Sequence, residues 1–195
     1  FVDNNVGART LNAGKSRVWG IETDTSVLVT ENDELSFTVN YLDAKVQSFA
    51  TSLMGVTGNP INDADPVTPG IQQFDLKGNR PPQAPKWTLS AGYSHTFDLG
   101  DGANVVASAF SRYKSAHYLS VVNWAALRQK GYMTTDLSLE YNSADGNYTV
   151  QAYVRNLEDK QPLVFANFNA AAGSLIYNSI YGAPRTFGVQ GTYRF

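Results

Sequence analysis

Two histidines, His95 and His117, and no cysteine are where a search for chemistry in this 195-residue chain begins. A catalytic or metal centre needs several reactive groups to converge. Neither histidine has a zinc-helix spacing, a cysteine partner or a serine elbow beside it. His95 reads as a surface residue near a strand end, and His117 as a solvated loop residue. Asp63-Ala64-Asp65 offers oxygens that a hard cation would take, but the rest of a calcium loop is missing, so a solvated loop is the expectation. Gly78-Asn79-Arg80 lacks the Gly-Lys-Ser/Thr ending of a phosphate loop. No catalytic residue, metal or cofactor is expected, and an enzyme is the minor reading.

The better candidates lie in three long stretches, 46–85, 116–131 and 158–183. They carry Phe74 and Arg80; Tyr118, Trp124 and Arg128; and Phe165, Asn167, Phe168, Asn169 and Tyr177. Aromatic rings with amides and cations can stack on a small molecule and hydrogen-bond to it. Loops held by a rigid scaffold are where such residues gather. The same aromatics could also simply pack the loops together, and both readings stand.

The scaffold follows from alternation. Helical periods are almost absent, while period-two patterns recur along the chain. Met133, Leu137, Leu139 and Tyr141 share a face, opposite Tyr132, Thr134, Asp136, Ser138 and Glu140. After the turn formers 142–146, Tyr148, Val150, Ala152 and Val154 oppose Thr149, Gln151 and Arg155. Trp87, Leu89, Ala91, Tyr93 and Phe97 alternate with Thr and Ser, as do Leu35, Phe37, Val39 and Tyr41. In 104–115 Val106 and Phe110 blur the pattern. Seven strands are predicted at about 17–30, 33–45, 86–97, 104–115, 132–141, 147–157 and 184–195. They are longer than the usual five or six residues. Their connections alternate between short ones (31–32, 98–103, 142–146) and the three long stretches.

Charged residues are only 16% of the chain and aromatics 12%, with eleven tyrosines. A net charge of -2 and no basic patch argue against nucleic acid. No apolar run is long enough for a transmembrane helix, so a membrane span would have to be a β-barrel. Short turns at one end and long loops at the other are the outer-membrane barrel pattern. Trp19, Tyr41, Trp87, Phe97, Tyr113, Tyr141, Tyr148 and Phe195 fall near strand ends, where an interfacial girdle would lie. Glu22, Asp24, Arg112, Asp136, Glu140, Arg155 and Arg194 sit on the polar parity, which suits a hydrated lumen. The competing readings are a soluble β-sandwich binding module, whose apolar faces would pack together in a dry core, and a passive porin or adhesin barrel.

Several stretches resemble one family. Arg17-Val18-Trp19-Gly20-Ile21-Glu22, the loop Leu76 to Lys86, Val154-Arg155-Asn156-Leu157-Glu158-Asp159, and Tyr181 to Gly188 followed by Phe195 are similar, in order, to the C-terminal barrel of TonB-dependent outer-membrane receptors. The resemblance implies an all-β, antiparallel up-and-down transmembrane segment over 1–195, supplying about seven strands of a 22-stranded barrel. It implies a location in the bacterial outer membrane, in contact with lipid. Partners would be a plug domain of the parent chain, the TonB complex through a missing N-terminal region, and a small-molecule ligand. That ligand would be an iron-siderophore, cobalamin or an oligosaccharide, and the function active uptake. Tyr193 and Phe195 resemble the C-terminal signal read during barrel assembly.

Overall fold

The alternating segments do form one sheet. A computed structural model describes residues 2–3, 7–8, 14–54, 71–171 and 174–195. Asp63 and Asp65 lie outside the described residues. Seven antiparallel strands make up the main sheet: β1 (Lys15–Leu28), β2 (Asp33–Ser48), β3 (Trp87–Asp98), β4 (Asn104–Lys114), β5 (Tyr132–Asn142), β6 (Tyr148–Arg155) and β7 (Thr186–Tyr193). Each end falls within three residues of its expected position. The spatial order is β7-β6-β5-β4-β3-β2-β1, so every strand neighbours its sequence neighbours, in an up-and-down meander. The long stretches hold more than loops. They carry antiparallel ribbons, Ala50–Met54 with Ile71–Asp75, His117–Tyr118 with Arg128–Gln129, and Leu163–Ala171 with Ser174–Tyr181.

The short connections sit together at one end and are closed by side chains. In 143–147 the Asp145 carboxylate accepts from Ser143 Oγ at 2.5 Å, Asn147 N at 3.0 Å and Asn147 Nδ2 at 2.9 Å. Those bonds, led by the one from Ser143, hold its pKa below the ordinary carboxylate value. Gly146 takes φ 72° there, a region that disfavours side chains.

Register places like with like across the sheet. Ile21, Tyr41 and Trp87 line up, then Thr23, Val39 and Leu89, then Thr25, Phe37 and Ala91. Leu137 lies between Ala109 and Val154, and Ala152 between Leu139 and Val189. These apolar residues are not covered. Ile21 is 62% exposed, Leu139 52% and Val189 75%. The soluble sandwich needed this face buried in a dry core, and no such core is found among the described residues. The buried residues cluster in the loops instead.

The exposed face is banded. At the loop end Trp19, Tyr41 and Trp87 stack in a row, with centroids 5.3 and 4.7 Å apart. At the turn end Tyr148, Tyr193 and Phe195 form a second row, 4.9 and 6.2 Å apart, and His95 lies edge-on to Phe97 at 4.3 Å. From Trp87 to Phe97 is ten residues, roughly 33 Å of strand, or about 25 Å along the normal at a barrel's tilt of about 40°. That matches the height of an outer-membrane apolar band. Leu137→Arg, at the middle of the band, is expected to lower barrel stability by about 2–4 kcal/mol. Urea unfolding in lipid vesicles would measure it, and a near-neutral effect would contradict the assignment of this face to lipid.

Candidate functional site

The three long connections pack on one another at one end of the sheet. Leu76, Val122, Trp124, Leu127 and Ala166 are buried together, with Phe49, Leu119, Val121 and Leu163 against them. Each long connection therefore places at least one residue in a shared core, and 116–131 places three. Amides staple its polar backbone. Asn123 Oδ1 accepts from Arg80 N at 2.8 Å, and Asn123 Nδ2 donates to Arg80 O at 2.9 Å. Asn79 Nδ2 donates to Val121 O at 2.9 Å, while Gln83 N donates to Tyr118 O at 2.7 Å. Asn123 itself sits at φ 56°, which asparagine tolerates better than most residues. The Leu76–Lys86 loop is thus a connector between two outer segments.

The expected site residues separate in this setting. Trp124 is only 4% exposed and belongs to the loop core, so the packing reading holds for it rather than a ligand-facing one. His117 is also buried, with Nδ1 3.1 Å from Ser115 O, and is not the solvated residue expected from its loop position. The short ribbon with Gln129 draws it in. Arg128 and Phe165 are exposed, and Arg80 and Tyr118 half-buried. The side chains of Phe74, Asn167, Phe168, Asn169 and Tyr177 lie outside the described residues. His95 sits on the apolar face, its Nδ1 2.7 Å from Asp33 Oδ1, which also accepts Tyr93 Oη at 2.7 Å. Among the described residues no cluster of ligating side chains could hold a metal ion.

Beyond β6 the chain makes a knuckle. Asn156 and Asp159 take φ 56° and 52°. Asn156 Nδ2 donates to Lys160 O at 2.8 Å and Ala183 O at 3.0 Å, and its Oδ1 accepts from Lys160 N at 2.9 Å. Asp159 Oδ1 accepts from Arg185 N at 2.8 Å, so the knuckle also fixes the approach to β7. Glu158 reaches back to β5, accepting from Thr135 Oγ1 at 2.6 Å and Thr135 N at 2.7 Å. The Thr135 hydroxyl is the main reason its pKa lies below the ordinary glutamate value. Such a group stabilises fully above the ordinary range, about 4.3, and loses its contribution as pH falls through the depressed value.

With this architecture in hand, the relatives are informative. Residues 1–157 match the family described as TonB dependent receptor-like, beta-barrel. The chain belongs to that family. Its fold is shared by three solved receptors. The ferric yersiniabactin uptake receptor FyuA from Yersinia pestis aligns with TM-score 0.70 at 21% identity, covering 94% of this chain and 24% of that one. BauA, the ferric preacinetobactin receptor of Acinetobacter baumannii, aligns at 0.63 and 18%, covering 91% and 22%. The siderophore receptor PiuA from the same organism aligns at 0.60 and 21%, covering 90% and 21%. The chain thus spans under a quarter of the length of these receptors. A comparison with curated proteins gave no match.

In a TonB-dependent receptor barrel the apolar face meets lipid and the opposite face lines the lumen. Glu22, Asp24, Arg112, Asp136, Glu140, Arg155 and Arg194 all share that opposite face. Glu140 is tied at the turn end, accepting from Gln151 Nε2 at 3.1 Å and Asn142 Nδ2 at 3.3 Å. Asp136 Oδ1 accepts from Asn156 N at 2.8 Å, so the wall also holds the knuckle.

Asn123→Ala would leave Arg80 N and O without their partner. Loop opening is expected to become easier by about 1–3 kcal/mol, raising amide exchange at Arg80 roughly tenfold or more, with the β1–β7 amides unchanged. Equal exchange at Arg80 in both proteins would show that the amide staple is not what holds these loops.

Proposed function

We propose that this chain is the C-terminal part of the barrel, over 1–195, of a TonB-energised receptor in the bacterial outer membrane that takes up an iron-siderophore complex. The observation that carries the reading is the family match over 1–157, and the lipid-height apolar band opposite a charged wall supports it. The three receptors that share its fold are named for ferric yersiniabactin uptake, a siderophore and ferric preacinetobactin, which favours that cargo over cobalamin or an oligosaccharide. Arg80, Tyr118, Arg128 and Phe165 would meet the cargo from the stapled loops, together with Phe74, Asn167, Phe168, Asn169 and Tyr177. The seven lumen-face charges would face either the plug domain of the parent chain or water, and that plug would answer to TonB. Tyr193 and Phe195 would serve as the signal read during assembly.

Radiolabelled iron uptake in an iron-starved host tests the reading. Cells carrying the full receptor are expected to accumulate the ferric siderophore, and cells lacking the receptor or TonB are not. Uptake that survives loss of TonB would mean a passive pore. TonB-dependent uptake of cobalamin or an oligosaccharide alone would leave the transporter standing and remove the siderophore.

A further inference from the structure

Two arginines on the lumen wall are built in the same way. Gly92 pairs across the strands with Phe110, and Gly188 with Tyr153. A Cβ on Gly92 would lie 2.4 Å from Ser36 Oγ and 3.2 Å from the Phe110 ring, and one on Gly188 would lie 2.7 Å from Tyr153 Oη. Each glycine thus opens the seat that its aromatic ring occupies. Each ring in turn carries a guanidinium. Arg112 lies over Phe110 and Arg155 over Tyr153, both at 4.9 Å from the centroid. Stacking of this kind holds a guanidinium plane while leaving its N–H edge free.

That edge is unused. Among the described residues neither guanidinium makes an ion pair, although Asp136 lies on the strand between them. Asp136 instead accepts a backbone N–H from Asn156. Arg112 and Arg155 line one recess of about 320 Å³, with Lys114, Lys160 and Tyr132 in its wall. Four cations face one engaged carboxylate. A second recess of about 170 Å³ adjoins it, lined by Phe110, Tyr153, Ser138, Arg155 and the same Asp136.

We infer that these two glycine–aromatic–arginine stacks form an anion clamp for a planar oxyanion, a carboxylate or a phenolate held on an aromatic ring. The forks supply paired N–H donors to the oxygens, and Phe110 and Tyr153 supply faces for the ring. If the proposed function holds, on which this part rests, the occupant is the anionic side of the chelated cargo, bound on the wall below the loops.

Salicylate, a planar carboxylate beside a phenol oxygen, is the probe, and its own fluorescence reports binding to the full receptor in detergent. The wild type is expected to bind salicylate, more weakly at high salt, and to ignore benzamidine, its cationic analogue in shape. R112Q/R155Q is expected to bind at least about tenfold more weakly, and R112K/R155K to fall between, since lysine keeps charge but loses the fork. Heat-modifiable gel migration confirms that each variant is folded. Should the glutamine variant fail to fold, the salt and benzamidine comparisons on wild type still decide. Unchanged affinity in a folded R112Q/R155Q, equal binding of benzamidine, or no salicylate binding by wild type would each overturn the clamp. A ferric chelate that supports growth yet fails to displace salicylate would overturn the cargo assignment. A receptor that binds salicylate through these arginines but imports no ferric chelate would refute the siderophore reading and leave the clamp.

Discussion

An apolar sheet face with no protein layer across it is the constraint on which everything else here depends. Ile21, Phe37, Val39, Leu89, Leu137, Leu139, Val150, Phe187 and Val189 are all left partly or largely exposed. Burying one such side chain fully is worth about 1.5–3 kcal/mol, so leaving nine half-exposed to water forfeits on the order of 10 kcal/mol. That is comparable to the whole net stability of an ordinary domain, about 5–15 kcal/mol. Lipid removes the penalty without a second sheet. Once lipid takes one face, the backbone must be satisfied by neighbouring strands alone, which calls for a closed barrel. The outer strands β1 and β7 each keep one unpaired edge among the described residues. Barrel closure in the family answers that need.

With one face given to lipid, function is confined to the other face and to the ends. The ends differ because the connections differ. Tight turns leave room for little beyond their own hydrogen bonds, as at Asp145. The long connections can build a core of their own, and they do so around Leu76, Val122, Leu127 and Ala166. Cross-connection amides at Asn79 and Asn123 make these outer segments a platform rather than three separate loops. The knuckle at Asn156–Asp159 then ties this end to β5 and β7. The geometry of the loop end is thereby coupled to the wall.

Much of this was legible in the sequence, because alternation is a strong signal when one face must be uniformly apolar. All seven wall strands could be read from it, and so could the up-and-down order. The ribbons within the long connections were not. Their runs mix polar and aromatic residues on both parities, as in Phe165-Ala166-Asn167-Phe168-Asn169, since neither face of a ribbon above the sheet has to meet lipid. Trp124 and His117 misled for a related reason. A loop position suggests solvent, and only contacts far apart in sequence create the core that buries them. The Asn123 staple had no local signature either, because its partner Arg80 lies 43 positions away. The Val154–Asp159 stretch was recognisable as a pattern, yet its physical sense, a positive-φ asparagine capping two loops, needed the structure.

Where the alternation breaks is itself informative. Phe110 blurred the reading of β4, and it proves to be a ring seated on a glycine of the next strand. Tyr153 does the same on β6. Both departures fall on the lumen face. Polar groups do occur near the rims of the lipid face, but there they are tied to one another. Ser111 Oγ lies 2.9 Å from Thr135 Oγ1, which in turn donates to Glu158. His95 and Tyr93 both reach Asp33. Lipid offers no partner, so such groups must satisfy themselves. On the polar face, among the described residues, Arg112 and Arg155 make no ion pair, although Asp136 lies on the strand between them. The anion clamp proposed above assigns their partner to a ligand on that face. Other polar groups on that face are closed among themselves, as Gln151 is with Glu140 and Ser26 with Glu34, so among the described residues the two ring-propped arginines stand apart from their neighbours.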